Sequence, residues 1–468
     1  MKTIDLLTPM LDNGIRNINF FNGRLLSAED LSAEQAANRQ RLELLGNAVG
    51  EGIAYGLEVR LSEQPSPLKM TPLLKVNAGL AVNRKGRTIC LPEDTIVALL
   101  AEEEEYAAAT EGAFAACVPP TTAVYQTGTG VFILTIAPAE GFDGTAPMSG
   151  LGNTANAGRA CGKRYAIEGV QFRLIEMNMN NLEGINDDTR SEVLALMNQA
   201  DVASLSKLRN MLAHLCFGTE QLTEFARDPF KETTAGTSPF ISYGAIDAMR
   251  QKNKITDCDV PLAMIYWTAE GVQFVDLWSV RRRLVDRNTS VKWPLSADER
   301  KQAEGEAMFL QFQEQLAAIA DLSSQQSVLG SIIASDYFRY LPAAGILPIT
   351  ASYIQAYQKE SGAAPISIVK QSRGLNPPKF FQGLTTRKPV FIEGARVENL
   401  LSSGRHYLPI DLTSKELIWV YLIRENVETI AKQPLTAPQA FLIFVNGNVP
   451  FLGEARYNVS RWDYSNFV

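Results

Sequence analysis

The apolar residues of this 468-residue chain come in short pieces whose period changes repeatedly, and that layout limits the fold more than any other feature. The strongest apolar runs, Val131–Ala137 and Leu417–Ile423, are seven residues each. A helix needs ~20 to cross a bilayer. Short runs separated by turn residues make many modest elements, and ~150 residues per domain gives about three domains. The expected fold class is α+β and multidomain: β-rich domains, several amphipathic helices and a C-terminal β domain. The expected divisions are an N-terminal segment and helix (1–50), a β-rich central region with inserted helices (51–290), a helical region (291–375) and a C-terminal β domain (376–468).

The clearest helix lies near the start. Ser27-Ala-Glu-Asp30 has capping-box spacing, with Asp in place of the usual Glu. The hydroxyl accepts from a first-turn amide, and the acid suits the positive helix end. The spacing predicts a helix over Ala28–Asn47. Leu31, Gln35, Asn38, Leu42, Leu45 and Val49 recur at heptad-like intervals, with polar residues at two central positions. Two readings fit that stripe. One is a surface helix lying on its own domain; the other is a helix at a subunit seam, whose polar core positions fix register.

Strands are expected over Gly52–Leu61, Leu73–Val76, Leu80–Asn83 and Thr88–Leu91, with Arg84–Arg87 as a hairpin turn. Glu102–Glu105 reads as a solvated acidic run in a helical stretch, Gly141–Gly162 as a long loop and Tyr165–Met177 as a strand. Asp201–Phe217 is an expected amphipathic helix stopped by Gly218, and Arg227–Pro239 a polar linker. Pro261–Trp267 and Val272–Val280 form an expected hairpin. Ser296–Glu299 is a second capping box, opening a helix to about Leu322 with Phe309, Phe312, Leu316 and Ile319 inward. Tyr337–Pro348 is extended and Thr350–Lys359 a short helix. Strands follow at Val390–Ile392, Glu416–Arg424 and Ala440–Val445, with Asn446-Gly447 as a turn.

Composition narrows the function classes. Lys plus Arg total 44 against 51 Asp plus Glu, a net charge of −7, and no segment is strongly basic. That balance argues against a nucleic-acid partner. Five scattered cysteines without a CxxC argue against a disulfide framework and a zinc site built mainly from Cys. The two histidines leave little room for acid–base chemistry. His214 stands two residues from Cys216 on a helix, hence on another face, and reads as a partly exposed helix residue; His406 reads as a loop residue. No G-x-S-x-G occurs, and Gly150–Gly158 lacks the spacing of a dinucleotide or phosphate loop. Asp257-Cys-Asp259 has the look of a metal–phosphate clamp, but it directly precedes a strand, where turn chemistry explains it. Cys161 sits among Arg159, Lys163 and Arg164, a setting that lowers a thiol pKa; a plain loop cysteine is the simpler reading. Arg281–Arg283 reads as an element end held by salt bridges, with a subunit contact as the alternative. The expectation is no enzyme, no cofactor and no metal.

One segment carries more. Asn19-Phe-Phe-Asn-Gly-Arg-Leu-Leu-Ser-Ala-Glu-Asp-Leu-Ser-Ala-Glu-Gln35 is followed by Gly50-Glu-Gly-Ile-Ala-Tyr-Gly-Leu-Glu-Val59 and by Gly79-Leu-Ala-Val-Asn-Arg-Lys-Gly-Arg-Thr-Ile89. The set resembles proteins encoded beside contractile injection systems, the phage-tail-like particles of bacteria. Asp259–Ala263, Asp276–Arg282 and Leu341–Pro348 are similar more loosely. The resemblance covers residues 17–100 well. It implies a structural part at the baseplate end (cage, extension or anchor) that self-associates as a homo-oligomer and docks to baseplate and sheath proteins of the particle.

The motif residues that would carry assembly are Phe20, Phe21, Gly23, Arg24, Leu25, Asp30 and Gln35. Phe21 and Leu25 are expected to anchor the helix entry in an apolar groove, on this chain or a neighbour, and Gly23 to permit the turn before it. The alternative function is a receptor- or glycan-binding tail appendage whose binding module is the C-terminal β domain. Synthesis in the bacterial cytoplasm is expected, with the particle released or membrane-associated and membrane contact made only through it.

Overall fold

The computed structural model describes residues 14–63, 72–99, 130–147, 161–182, 185–219, 244–285, 299–322, 329–350, 374–424 and 441–449, with single residues between 353 and 362. The acidic run Glu102–Glu105, the linker Arg227–Pro239, half of Thr350–Lys359 and the Ser296 cap lie outside the described residues. No helix among the described residues is long and apolar enough to cross a membrane.

The chain opens with α1 (Ala28–Val49), started by the expected capping box: Asp30 N donates to Ser27 Oγ and Ser27 N donates to Asp30 Oδ2, both at 3.2 Å. Six short strands follow: β1 (Gly52–Gly56), β2 (Val59–Leu61), β3 (Leu73–Val76), β4 (Gly79–Val82), β5 (Thr88–Leu91) and β6 (Thr95–Ala98). They form two antiparallel sheets, β1-β4-β5 and β2-β3-β6. The inward residues Ile53, Leu74, Val76, Ala81 and Ile89 share a core with Phe132, Leu134 and Leu262 of the sheet that follows.

That central sheet contains β7 (Gly130–Pro147), β8 (Cys161–Glu176), β9 (Val260–Thr268) and β10 (Gly271–Asp276), in the order β10-β9-β7-β8. Period-2 alternation divides β7 between two cores. Phe132, Leu134 and Ile136 face the small sheets, while Val131 and Ile133 face helices. Those helices are α2 (Asp187–Met197), α3 (Val202–Phe217) and α4 (Ala245–Gln251). The expected loop Gly141–Gly162 is corrected at both ends: β7 and β8 stay paired out to Pro147 opposite Cys161. This outer ribbon exposes Phe142, Tyr165 and Ile167. Its Gly- and Ala-rich composition hid a ladder held by backbone bonds rather than by an apolar face.

α3 is the second correction. It was expected to be amphipathic, yet every residue from Leu208 to Phe217 is buried. The reason is α5 (Glu299–Leu322), which covers the face that patterning assigned to water. Asn210 of α3 is satisfied there as a strand edge would be: its Oδ1 accepts from Arg339 N and Tyr340 N at 2.9 Å each, and its Nδ2 donates to Tyr340 O at 3.1 Å.

Beyond α5 come α6 (Ala334–Tyr337), β11 (Tyr340–Leu341), β12 (Ala344–Pro348), α7 (Pro377–Phe380), β13 (Val390–Glu393), α8 (Val397–Gly404), β14 (Ile410–Asp411), β15 (Ile418–Arg424) and β16 (Phe441–Asn446). The last sheet runs β12-β16-β15-β13, with β13 parallel to β15. The expected boundary at 375/376 therefore falls inside a shared unit. β12 lies upstream of it, and Phe312, Leu316 and Ile319 of α5 pack with Phe338, Phe380 and Phe444. Phe312 meets Phe444 edge-on at 5.5 Å, a favoured aromatic geometry.

A buried ion pair ties the central sheet together. Arg173 Nη1 of β8 donates to both carboxylate oxygens of Asp259 at 2.7 Å. Asp259 also accepts from Thr135 Oγ1 at 3.1 Å and from Thr256 N and Oγ1 at 2.7 and 2.6 Å. Asp257-Cys-Asp259 is thus turn chemistry, as its position before a strand suggested. Cys258 is fully buried and disulfide-bonded, while Cys90 and Cys216 are free.

Removing one partner of a buried pair strands the other charge, at a cost of about 3–5 kcal/mol. Asp259→Ala is expected to lower stability by that amount, measured as a shift in the denaturant midpoint. A loss below about 1 kcal/mol would show that Arg173 finds another partner.

Candidate functional site

The segment before α1 folds back along it. Arg41 Nη2 donates to Asn17 Oδ1 at 2.5 Å, and Ile18 N to Glu34 Oε2 at 3.4 Å. Phe21-Asn-Gly-Arg24 closes a turn, with Arg24 N donating to Phe21 O at 3.2 Å and Gly23 at φ +88°. Gly23 has open space around it, so its freedom matters for the backbone angle and not for a close contact. Arg24 latches this turn: Nη1 donates to Asn19 O at 2.8 Å, Nη2 to Asp30 Oδ1 at 2.6 Å, and the guanidinium lies 5.9 Å from the Phe21 ring centroid. Asp30 therefore serves both the cap and the latch. The amide of Ser27 is the main reason its carboxyl is held below the usual range, with Arg24 adding to it.

This polar frame sets out an apolar edge. Phe20 is 55% exposed, Phe21 63%, Leu25 91% and Leu26 54%. Among the described residues, none forms the expected groove for Phe21 and Leu25. Gln35 is exposed as well.

The opposite end of α1 is clamped. A Cβ on Gly46 would overlap the Gly86 carbonyl, and one on Gly86 would overlap Glu43 O, so helix and hairpin backbones touch. Glu43 pairs with Arg87 at 2.6 Å, and Asn47 Nδ2 donates to Lys85 O at 3.4 Å. The following turn is held by residues 281–285. Glu51 exchanges backbone hydrogen bonds with Val285 at 3.0 and 2.9 Å, and Arg281 donates to Leu57 O at 2.9 Å and to Gly56 O. The rest of the basic cluster also follows the salt-bridge reading: Arg282 pairs with Glu304 at 2.8 Å and Arg283 with Glu306 at 2.9 Å.

Between latch and clamp, only Ala37 and Gly46 of α1 are buried. Among the described residues, nothing covers the stripe as a surface helix lying on its own domain would require. Leu31, Leu42, Leu45 and Val49 are each more than half exposed. The contacts to the rest of the chain use other positions, Glu34 and Arg41 toward the entry segment and Glu43, Gly46 and Asn47 toward the hairpin; within the helix, Asn38 Oδ1 of the stripe accepts from Arg41 Nη1 at 2.9 Å.

A second polar cluster, not found from sequence, joins α3, β10 and α5. Arg209 donates through Nε to Asp276 and pairs through Nη2 with Glu314 at 3.2 Å. Asp276 also accepts from Gln311 Nε2 at 3.0 Å and Ser279 N at 2.9 Å, and Gln315 Nε2 donates to Ser206 O at 2.7 Å. Burial, and then the nearby Asp276 carboxylate, push Glu314 up to about 7 against the opposing pull of Arg209. The hint in the sequence was Gln311 and Gln315 one turn apart on the apolar side of α5.

His214 corrects another expectation. It is buried, with Nδ1 at 2.8 Å from Thr219 Oγ1 and its ring 4.7 Å from that of Tyr340. Burial pushes its pKa down to about 3, so the ring stays neutral at physiological pH. His406 is half-buried. Among the described residues no group of three or more His, Cys, Asp or Glu is placed to hold a metal ion. No protein-family model matches the chain, and no curated protein matches it significantly.

Glu314 gives a pH prediction. A carboxyl raised from 4.5 to about 7 binds more protons folded than unfolded, so stability falls as pH rises through that window. Glu314→Gln removes the ionised state. Its stability relative to wild type is expected to be about 1–2 kcal/mol better at pH 8 than at pH 4.5, the full displacement being tempered by partial exposure. Urea unfolding at the two pH values measures this; a pH-independent difference contradicts it.

Proposed function

We propose that this chain is a non-enzymatic structural component of a bacterial contractile injection system, set at the baseplate end as a cage, extension or anchor. It works by self-association and by docking to baseplate proteins. The observation that carries the reading is a division of labour within the motif. Arg24, Ser27 and Asp30 hold the shape of the helix entry, while Phe20, Phe21 and Leu25 are left to solvent. Apolar groups set out on a braced frame are what a docking edge requires, because little ordering entropy remains to be lost on binding.

The outer part of the β7–β8 ribbon adds support. A two-stranded ribbon is marginal alone in water, and this one exposes Phe142, Tyr165 and Ile167. The alternative, a receptor- or glycan-binding appendage, would use the C-terminal sheet. Both faces of that sheet are packed into cores with other elements: Val420, Leu422 and Phe444 against α5 and α7, Tyr421, Ile443 and Val445 against α8. Among the described residues that leaves the sheet's loops and edges for a ligand, which favours the assembly reading.

Phe21→Ala tests it. An exposed side chain away from caps and cores contributes within about 0.5 kcal/mol, so the isolated variant is expected to melt as wild type does. Its incorporation into particles, followed by pull-down and negative-stain imaging, is expected to drop sharply. Wild-type incorporation of both Phe21→Ala and Leu25→Ala would refute the docking role.

A further inference from the structure

We propose that α1 is a self-pairing surface, two copies of the chain meeting in a parallel, in-register coiled coil along Leu31, Gln35, Asn38, Leu42, Leu45 and Val49. The proposal rests on the assembly reading and names one partner, a second copy. All six residues of the stripe are exposed, and both the latch and the clamp of α1 use other positions. The intervals of four and three place Gln35, Leu42 and Val49 at a positions and Leu31, Asn38 and Leu45 at d positions.

Self-pairing satisfies this pattern in one orientation. In a parallel pair each residue meets its own copy, so Gln35 faces Gln35, Asn38 faces Asn38 and the leucines face leucines. The g residue Glu34 then lies beside the partner's Arg39 at e, twice by symmetry. In an antiparallel pair that keeps the whole stripe in contact, Leu31 opposite Val49, Gln35 is set against Leu45 and Asn38 against Leu42, and Arg39 comes beside Arg39, burying amides on hydrocarbon and opposing like charges. Both charged residues have capacity to spare. Arg39 is 3.6 Å from Glu168, and its side chain is 37% exposed; Glu34 accepts only a long bond from Ile18 N, at 3.4 Å. Amides at core positions lower affinity while fixing register, so the pairing is weak in the free chain and strengthened where particle geometry raises the local concentration.

Sedimentation equilibrium of the full chain, up to about 200 µM, reads the test. Wild type is expected to shift reversibly from 51.4 kDa toward twice that mass. Leu45→Asp is expected to remain monomeric. Glu34→Arg and Arg39→Glu are each expected to weaken the dimer about 5-fold or more, and the charge-swapped double variant to return to within about 2-fold of wild type. A wild-type monomer throughout, or a dimer untouched by Leu45→Asp, overturns the proposal. A double variant no better than the singles overturns the parallel register. The assembly reading is scored separately, by particle incorporation, so free monomers that still enter particles through Phe21 would sink the coiled coil alone.

Discussion

The central sheet is apolar on both faces, and the first 280 residues or so are arranged to cover it twice. Successive residues of β7 point to opposite sides, Val131 and Ile133 toward helices, Phe132, Leu134 and Ile136 toward the small sheets. Burying side chains of this size is worth about 1.5–3 kcal/mol each, so neither layer can be left off. That demand places the six N-terminal strands on one side and α2, α3 and α4 on the other. It also obliges the polar residues within the sheet to find partners there, as Asp259, Arg173 and Thr135 do with one another.

α1 stands outside this requirement. Of its 22 residues only Ala37 and Gly46 are buried, and it is attached by a latch of polar contacts at one end and a glycine crossing at the other. An element held firmly in place while leaving its leucines exposed is costly for an isolated chain and useful for one that assembles. The exposed ribbon of β7 and β8 repeats the pattern with a different element, its backbone paired and its aromatics outward.

Much of the architecture was legible in the sequence. The capping box at Ser27, the strands around the Arg84–Arg87 turn and the inward face of α5 at Phe312, Leu316 and Ile319 follow from local chemistry and period. What failed needed tertiary knowledge. Nothing local tells that α5 will cover the polar side of α3 and bury His214, or that Gly141–Pro147 will pair with the strand opposite. The Arg173–Asp259 and Arg209–Asp276 pairs join residues far apart in the chain, and single charges carry no mark of a distant partner. For the motif, its position before the helix and its turn at Gly23 were readable. Its exposure was not, because Phe20 and Phe21 have the composition of a core.

The central claim is that the helix entry and α1 form an outward docking element of a larger particle. An electron cryo-microscopy reconstruction of particles purified from the organism that encodes the chain tests it most directly. The account predicts density for this chain at the baseplate end, with residues 19–31 buried against a neighbouring subunit. Particles that lack the chain, or in which those residues still face solvent, would contradict it.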